Sequence, residues 1–130
     1  MKFEIFSFKK VSSTNDEAIK LIKKKRKKSG FVYAESQTKG KGTHGNKWIS
    51  KKGNLFSSIF FPLKKNYPQF NEFTIINSVI VYEVIKKFCK KNKVTIKWPN
   101  DVFVNGKKIS GILQELITFN NNKFLIIGIG

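Results

Sequence analysis

Apolar residues recur with two different periods along this chain. Phe3, Ile5, Phe6 and Phe8 crowd into a short, imperfectly alternating run near the N-terminus, which predicts a first strand. Ser13-Thr14-Asn15 then precede a helical pattern in which Ala18, Leu21 and Ile22 share a face. Thr14 followed by Glu17 is a capping-box spacing, and Gly30 is the expected C-terminal stop. Phe31, Tyr33 and Ala34 begin a second strand that delivers Gln37. Leu55 to Phe61 is a continuous apolar run with two serines, read as a buried strand ended by Pro62. Asn71 to Lys91 is the longest helix expected. Phe73, Ile76, Ile80, Val84 and Phe88 form its stripe at three- and four-residue steps, widened by Ile75, Val79 and Tyr82, which predicts a core-facing scaffold. Asn92 is its expected C-cap.

After that helix the period returns to two. Val94, Ile96 and Trp98 alternate, and Pro99 interrupts because it has no backbone N–H to give. Asn100 and Asp101 sit at the turn. Val102 and Val104 resume the alternation up to Asn105-Gly106, a strong hairpin signal, since a type I′ turn needs positive φ at both positions. Lys107 and Lys108 open the return strand, and Gly111 lies inside it, where a glycine often marks close approach. Ile112 to Phe119 and Phe124 to Ile129 are the last two strands, antiparallel across Asn120-Asn121-Asn122. The whole predicts an α+β fold, a mixed, largely antiparallel central sheet with packed helices. No repeat or linker interrupts it, so residues 1–130 are expected to form one domain.

Composition changes this picture in two places. The net charge is +18, from 26 Lys+Arg against 8 Asp+Glu, a balance that points towards polyanions. The densest run is Lys23 to Lys28, at a helix end, where the dipole favours cations. The basic residues are nearly all lysine, and Asn, Ile and Phe are abundant too. All four have A/T-rich codons, so much of the charge reads as genome bias. The lone Cys89 rules out an intramolecular disulfide and fits a reducing compartment. No apolar run is long enough to span a bilayer. MKFEIFSFKK lacks the pattern of a secretory leader, so a cytoplasmic protein is expected.

The loop from Gln37 to Lys47 carries candidate chemistry. Gly40, Gly42 and Gly45 let the backbone approach an anion, and Lys39, Lys41 and Lys47 add charge. A surface loop of no function has the same composition. Its glycines and lysines leave it little to pack, which predicts a mobile loop in the free protein. His44 is the only histidine, so no histidine-based metal site or triad is available.

Three stretches together resemble biotin–protein ligases. Lys97 to Glu115, KWPNDVFVNGKKISGILQE, is similar to that family's KWPND…K…GIL.E signature. Gln37 to Asn54, QTKGKGTHGNKWISKKGN, is similar to its Q…GRGR.GR.W.S..GN loop, and Ser13-Thr14-Asn15 to its STN. The first is a specific signal; the glycine loop alone is weak. The resemblance implies the catalytic fold shared with class II aminoacyl-tRNA synthetases. It also implies a ligase that forms a carbon–nitrogen bond. Biotin and ATP give biotinyl-5′-adenylate, and a lysine of a biotin carboxyl carrier protein then takes the biotinyl group.

Site residues follow from the same resemblance. Ser13, Thr14, Asn15, Gln37, Lys41, Gly42, Thr43, Lys108 and Gly111 would contact biotin. Gly40, Gly42, Trp48, Asn100, Asp101 and Lys108 would contact the nucleotide. Lys108, Lys41 and Asp101 would carry the chemistry. Lys108 would bridge the biotin carboxylate and the α-phosphate; Asp101 would sit near Mg²⁺ or the incoming lysine; Trp48 would be core or lid. Mg²⁺ would arrive with ATP, with no protein ligand assigned. No membrane and no specific nucleic acid is implied, and a homodimer is left open.

This chain departs from the pattern at Lys41 and Thr43, where the family has arginines. Lys41 keeps the charge without the two-pronged fork, and Thr43 loses the charge; His44 and Asn46 stand at variable or basic places. A less basic loop is expected to retain the adenylate less well. LIIGIG resembles the start of a family segment that continues, so a fragment and a natural minimal form are both open. A lipoate–protein ligase, a basic nucleic-acid-binding module and an inactive relative are the competing readings.

Overall fold

Alternation and crossover length decide the first sheet pairing. In the computed structural model, which describes residues 2–130, the opening apolar run forms β1, Glu4–Phe8. Helix α1, Thr14–Lys23, crosses over to β2, Gly30–Ala34, which pairs parallel to β1. A parallel pair needs such a crossover. The other strands are β3, Phe56–Pro62; β4, Val94–Lys97; β5, Asp101–Val104; β6, Lys107–Phe119; and β7, Asn122–Ile129. Helix α2 is Phe70–Phe88. The fold is α+β, with a mixed, largely antiparallel set of strands, as the sequence predicts.

The chain divides into two compact units, Met1–Tyr67 with Leu113–Gly130, and Pro68–Ile112. In the first, the strand order is β1-β2-β3-β7-β6; β2 pairs antiparallel with β3, and β3 with β7. The α1 face of Ala18, Leu21 and Ile22 packs on Val32, Phe60, Phe124 and Ile126. Gly30 belongs to this core and does not stop the helix. A Cβ there would stand 2.7 Å from the Phe6 and Phe60 rings. The helix ends earlier, at Lys23, and Arg26 turns the chain with φ 53°. The cap is also one residue earlier than expected. Ser13 Oγ accepts from the Asp16 N–H, while the Thr14 N–H donates to Gln37 Oε1 at 2.8 Å. Glu17 pairs with Lys20 instead of closing a box.

The second unit carries β4, β5 and the first part of β6, with α2 packed on β4 and β5. Asn105 (φ 50°) and Gly106 (φ 77°) make the expected turn. The β5–β6 register pairs Val104 with Lys107, Phe103 with Lys108, Val102 with Ser110 and Asp101 with Gly111. Ile109 is therefore the extra residue of a bulge. The predicted stripe of α2 is rotated. Ile75, Ile76, Val79, Ile80, Val84 and Phe88 are exposed, whereas Asn77 and Ser78 are buried. Ser78 Oγ donates to the Thr74 and Pro99 carbonyls, so small polar residues anchor this helix. A helix apolar on most sides has no strong period to fix its facing. It ends at Phe88 with Cys89 as C-cap, and Asn92 donates to the Cys89 carbonyl. The return strand opened at Lys107 and the strand expected from Ile112 form one strand, β6.

Candidate active site

A serine inside an apolar strand needs a polar partner once it is buried. Ser58, fully buried in β3, finds two at the start of α1: Thr14 Oγ1 at 2.8 Å and Asn15 Oδ1 at 2.5 Å, sharing one hydroxyl hydrogen. Asn15 Nδ2 donates to Glu115 Oε2 at 2.8 Å and to the Leu113 carbonyl at 3.4 Å. Gly128 makes room for this amide, since a Cβ there would lie 2.5 Å from Asn15 Oδ1. Ser13, Thr14 and Asn15 are all buried. The Thr14 side chain ties α1 to β3 and that of Asn15 ties it to β3 and β6, while Ser13 caps the helix.

Gln37 extends the network into the glycine loop. Its Oε1 accepts from the Thr14 N–H, and from Thr14 Oγ1 at 3.3 Å; its Nε2 donates to Ser50 Oγ at 3.0 Å. Gly40 is required at this crossing, because a Cβ would meet the Trp48 carbonyl at 2.5 Å and Ser50 Oγ at 2.7 Å. The loop is better tied than its composition predicts. The N–H groups of Thr38, Lys39, Gly42, Asn46 and Trp48 donate to the carbonyls of Val11, Ser12, Asn46, Thr43 and Gly40. The Gly42 N–H therefore closes the loop on itself. Thr43 to Gly45 form a tight turn in which His44 (φ 57°) and Gly45 (φ 76°) are left-handed. Trp48 is half-buried, its indole against Gly130.

Lys41 extends from this loop to Asp16 in the first turn of α1, and the two form an ion pair. The hydrogen bond to Asp16 raises the Lys41 pKa above its ordinary value; partial burial opposes this, and the charges of Asp16 and Glu115 add to it. Among the predicted residues of the first unit, Thr14, Asn15 and Gln37 thus join one bonded group through Ser58, Gly40 packs beside Gln37, and Lys41 belongs to a separate pair with Asp16.

In the second unit, strand alternation puts Asp101 and Phe103 on one face of β5. Lys108, opposite Phe103, shares that face, and its Nζ lies 2.9 Å from Asp101 Oδ1. Asn100 is tied to the backbone: its Nδ2 donates to the Ile112 carbonyl at 3.1 Å, and its carbonyl accepts from the Ile112 N–H at 2.9 Å. Gly111 is buried opposite Asp101. No group of three His, Cys, Asp or Glu side chains suited to a metal is found among the described residues.

Sequence reasoning missed Ser58, Asp16, Ser50, Glu115 and Gly128. The serines of β3 were the available signal, since buried hydroxyls demand partners. Glu115 closes the quoted GILQE stretch, and Leu113 and Glu115 share a face of β6.

The model of the biotin/lipoate A/B protein ligase family matches residues 7–130. The bifunctional ligase/repressor BirA of Escherichia coli is 33% identical over 107 residues, 82% of this chain and 33% of that protein. The biotin protein ligase of Aquifex aeolicus, solved with biotin and ATP, is 30% identical with a TM-score of 0.75, covering 100% of this chain and 53% of that one. The biotin acetyl coenzyme A carboxylase synthetase of Helicobacter pylori, solved with biotinylated ATP, is 25% identical with a TM-score of 0.78, covering 99% and 61%. This chain thus spans between a third and three fifths of these relatives.

Proposed function

The chain belongs to the biotin/lipoate A/B protein ligase family, and from that premise we propose that it is a biotin–protein ligase. In this reading a biotin carboxylate oxygen attacks the α-phosphorus of ATP, and pyrophosphate leaves. A carrier-protein lysine amine then attacks the acyl carbon of biotinyl-5′-adenylate, the C–N bond forms, and AMP leaves with the acyl C–O bond broken.

Two anions must meet in the first step, so the reaction needs cations and fixed donors more than it needs a nucleophile. Lys108 is the cation between carboxylate and α-phosphate. Asp101 aligns its ammonium. Lys41 draws the carboxylate, while Ser13, Thr14, Asn15, Gln37, Gly42, Thr43 and Gly111 contribute to biotin binding. Gly40, Trp48 and Asn100 shape the nucleotide subsite. Mg²⁺ with ATP takes mostly phosphate and water oxygens and one or two carboxylates. The donor set fits, with Asp101 as the carboxylate, and the bound ion would offset phosphate charge.

The observation that carries the reading is the Lys108–Asp101 pair, 2.9 Å apart on one face of the KWPND hairpin. No helix is long and apolar enough to cross a membrane among the described residues. The lone cysteine fits a reducing compartment, and the reading places the enzyme in the cytoplasm. The reading needs no nucleic acid and accommodates a homodimer. The test is incorporation of radiolabelled biotin into a biotin carboxyl carrier domain. The reading predicts label on the carrier only when ATP is present. Absence of label with ATP, on folded protein, would contradict it.

A further inference from the structure

One cation of the glycine loop, Lys41, is already engaged. Lys41 Nζ sits on Asp16 Oδ1, with Glu115 contributing further negative potential. Asp16 is held where it is. It stands in the first turn of α1, where the dipole favours an anion, and its own N–H is bound by the Ser13 cap. Lys41 is held less firmly. It projects from a loop joined to the N-terminal end of α1 by Gln37–Thr14, by Lys39–Ser12 and by this ion pair. The Lys41–Lys47 bridge and the Gly42–Asn46 bond keep the loop folded on itself without reaching α1.

We infer that Asp16 is an internal anion occupying the seat that Lys41 offers to an anionic oxygen of the substrate. The inference rests on the ligase reading above. Binding is then an exchange of one anion for another on the same ammonium. Asp16 holds the loop against α1 when no substrate is present, and it lowers the apparent affinity for substrate by the strength of its hold. It touches neither reacting atom, so it is a positioning residue. Its side chain is 29% exposed and that of Lys41 is 43% exposed. An ion pair so open to solvent biases an equilibrium by about two- to fivefold. A ligand that must break the pair loses the same factor in affinity, and removing the pair returns it.

The experiment uses the full chain as wild type, Asp16→Asn, Asp16→Glu, Lys41→Met and the double variant Asp16→Asn/Lys41→Met. Amide hydrogen exchange across residues 39–48 is measured without ligand. Affinity is measured for biotin, for its uncharged alcohol analogue and for ATP. Asp16→Asn and Lys41→Met should each speed loop exchange by about two- to fivefold, with no further gain in the double variant. Asp16→Asn should tighten biotin or ATP by a like factor and leave the alcohol unchanged, and Asp16→Glu should restore wild-type behaviour. Tightening of ATP alone assigns the seat to phosphate; tightening of biotin alone assigns it to carboxylate. Unchanged affinity for both anions in Asp16→Asn, with wild type binding biotin, overturns the inference alone. So does an equal shift for the alcohol. Failure of every variant, wild type included, to bind biotin or ATP overturns the ligase reading and the inference together.

Discussion

Lys108 Nζ lies 2.9 Å from Asp101 Oδ1, although seven positions separate the two residues in sequence. The Asn105-Gly106 turn folds β6 back on β5, and the bulge at Ile109 shifts the register by one residue so that Gly111 faces Asp101. Lys107 pairs with Val104 and points to the other face. Two adjacent lysines therefore have different surroundings.

That difference yields the first prediction. Lys108→Ala should slow adenylate formation by about 10²–10³, the usual loss when a donor to a developing oxyanion is removed. Its melting temperature should barely move, because a half-exposed ion pair contributes only about 0–1 kcal/mol. Lys107→Ala should change neither. Equal small rate losses in the two variants would take Lys108 out of the chemistry.

The buried network at the start of α1 should behave in the opposite way. Ser58→Ala removes the hydroxyl that donates to Asn15 Oδ1 and leaves Thr14 Oγ1 with Gln37 alone. A loss of about 1–3 kcal/mol in unfolding free energy is expected. Gly128→Ala should also destabilise, by about 1–3 kcal/mol, since its Cβ would intrude on Asn15. Denaturant midpoints of the three proteins decide this, and wild-type midpoints in both variants would mean that the network contributes nothing.

Lys41 sets a pH dependence. Its pKa is raised above 10.5 in the folded protein, chiefly by the Asp16 hydrogen bond. A raised lysine pKa contributes stability that is fully present below the unfolded value and is lost as pH rises through the folded one. The gap in melting temperature between wild type and Lys41→Met should therefore be flat around neutrality and shrink only above about pH 10.5. A gap that closes near neutrality would show that the pair is not what stabilises the loop.

Core packing gives a check independent of function. Phe60 is fully buried against α1 and over Gly30. Phe60→Ala should cost about 3–5 kcal/mol, and thermal melts would reveal it. A shift small enough to imply less than about 1 kcal/mol would mean that this core is not formed as described.

Much of this fold is legible because local rules act alone in it. Asn105-Gly106 forces its turn whatever surrounds it, and the antiparallel return of β7 follows from Asn120 and Asn121, both at positive φ. The Lys108–Asp101 pair is nearly local too. The α2 facing is not legible, because apolar residues cover most of that helix and Ser78 decides which side turns inward. Gly30 looks like a helix stop, but its requirement comes from the Phe6 and Phe60 rings. The Asn15 hub joins residues 43 and 100 positions away, a relationship no local spacing encodes. Lys41 was legible as a cation; its engagement by Asp16 was not, since it depends on where the loop lands.

The most direct test of the central claim is biotin-dependent exchange of pyrophosphate into ATP by the chain itself, which isolates the activation step from any carrier. Exchange should require biotin and fall by about 10²–10³ in Lys108→Ala. Folded wild-type protein that shows no exchange at saturating biotin and ATP would contradict it.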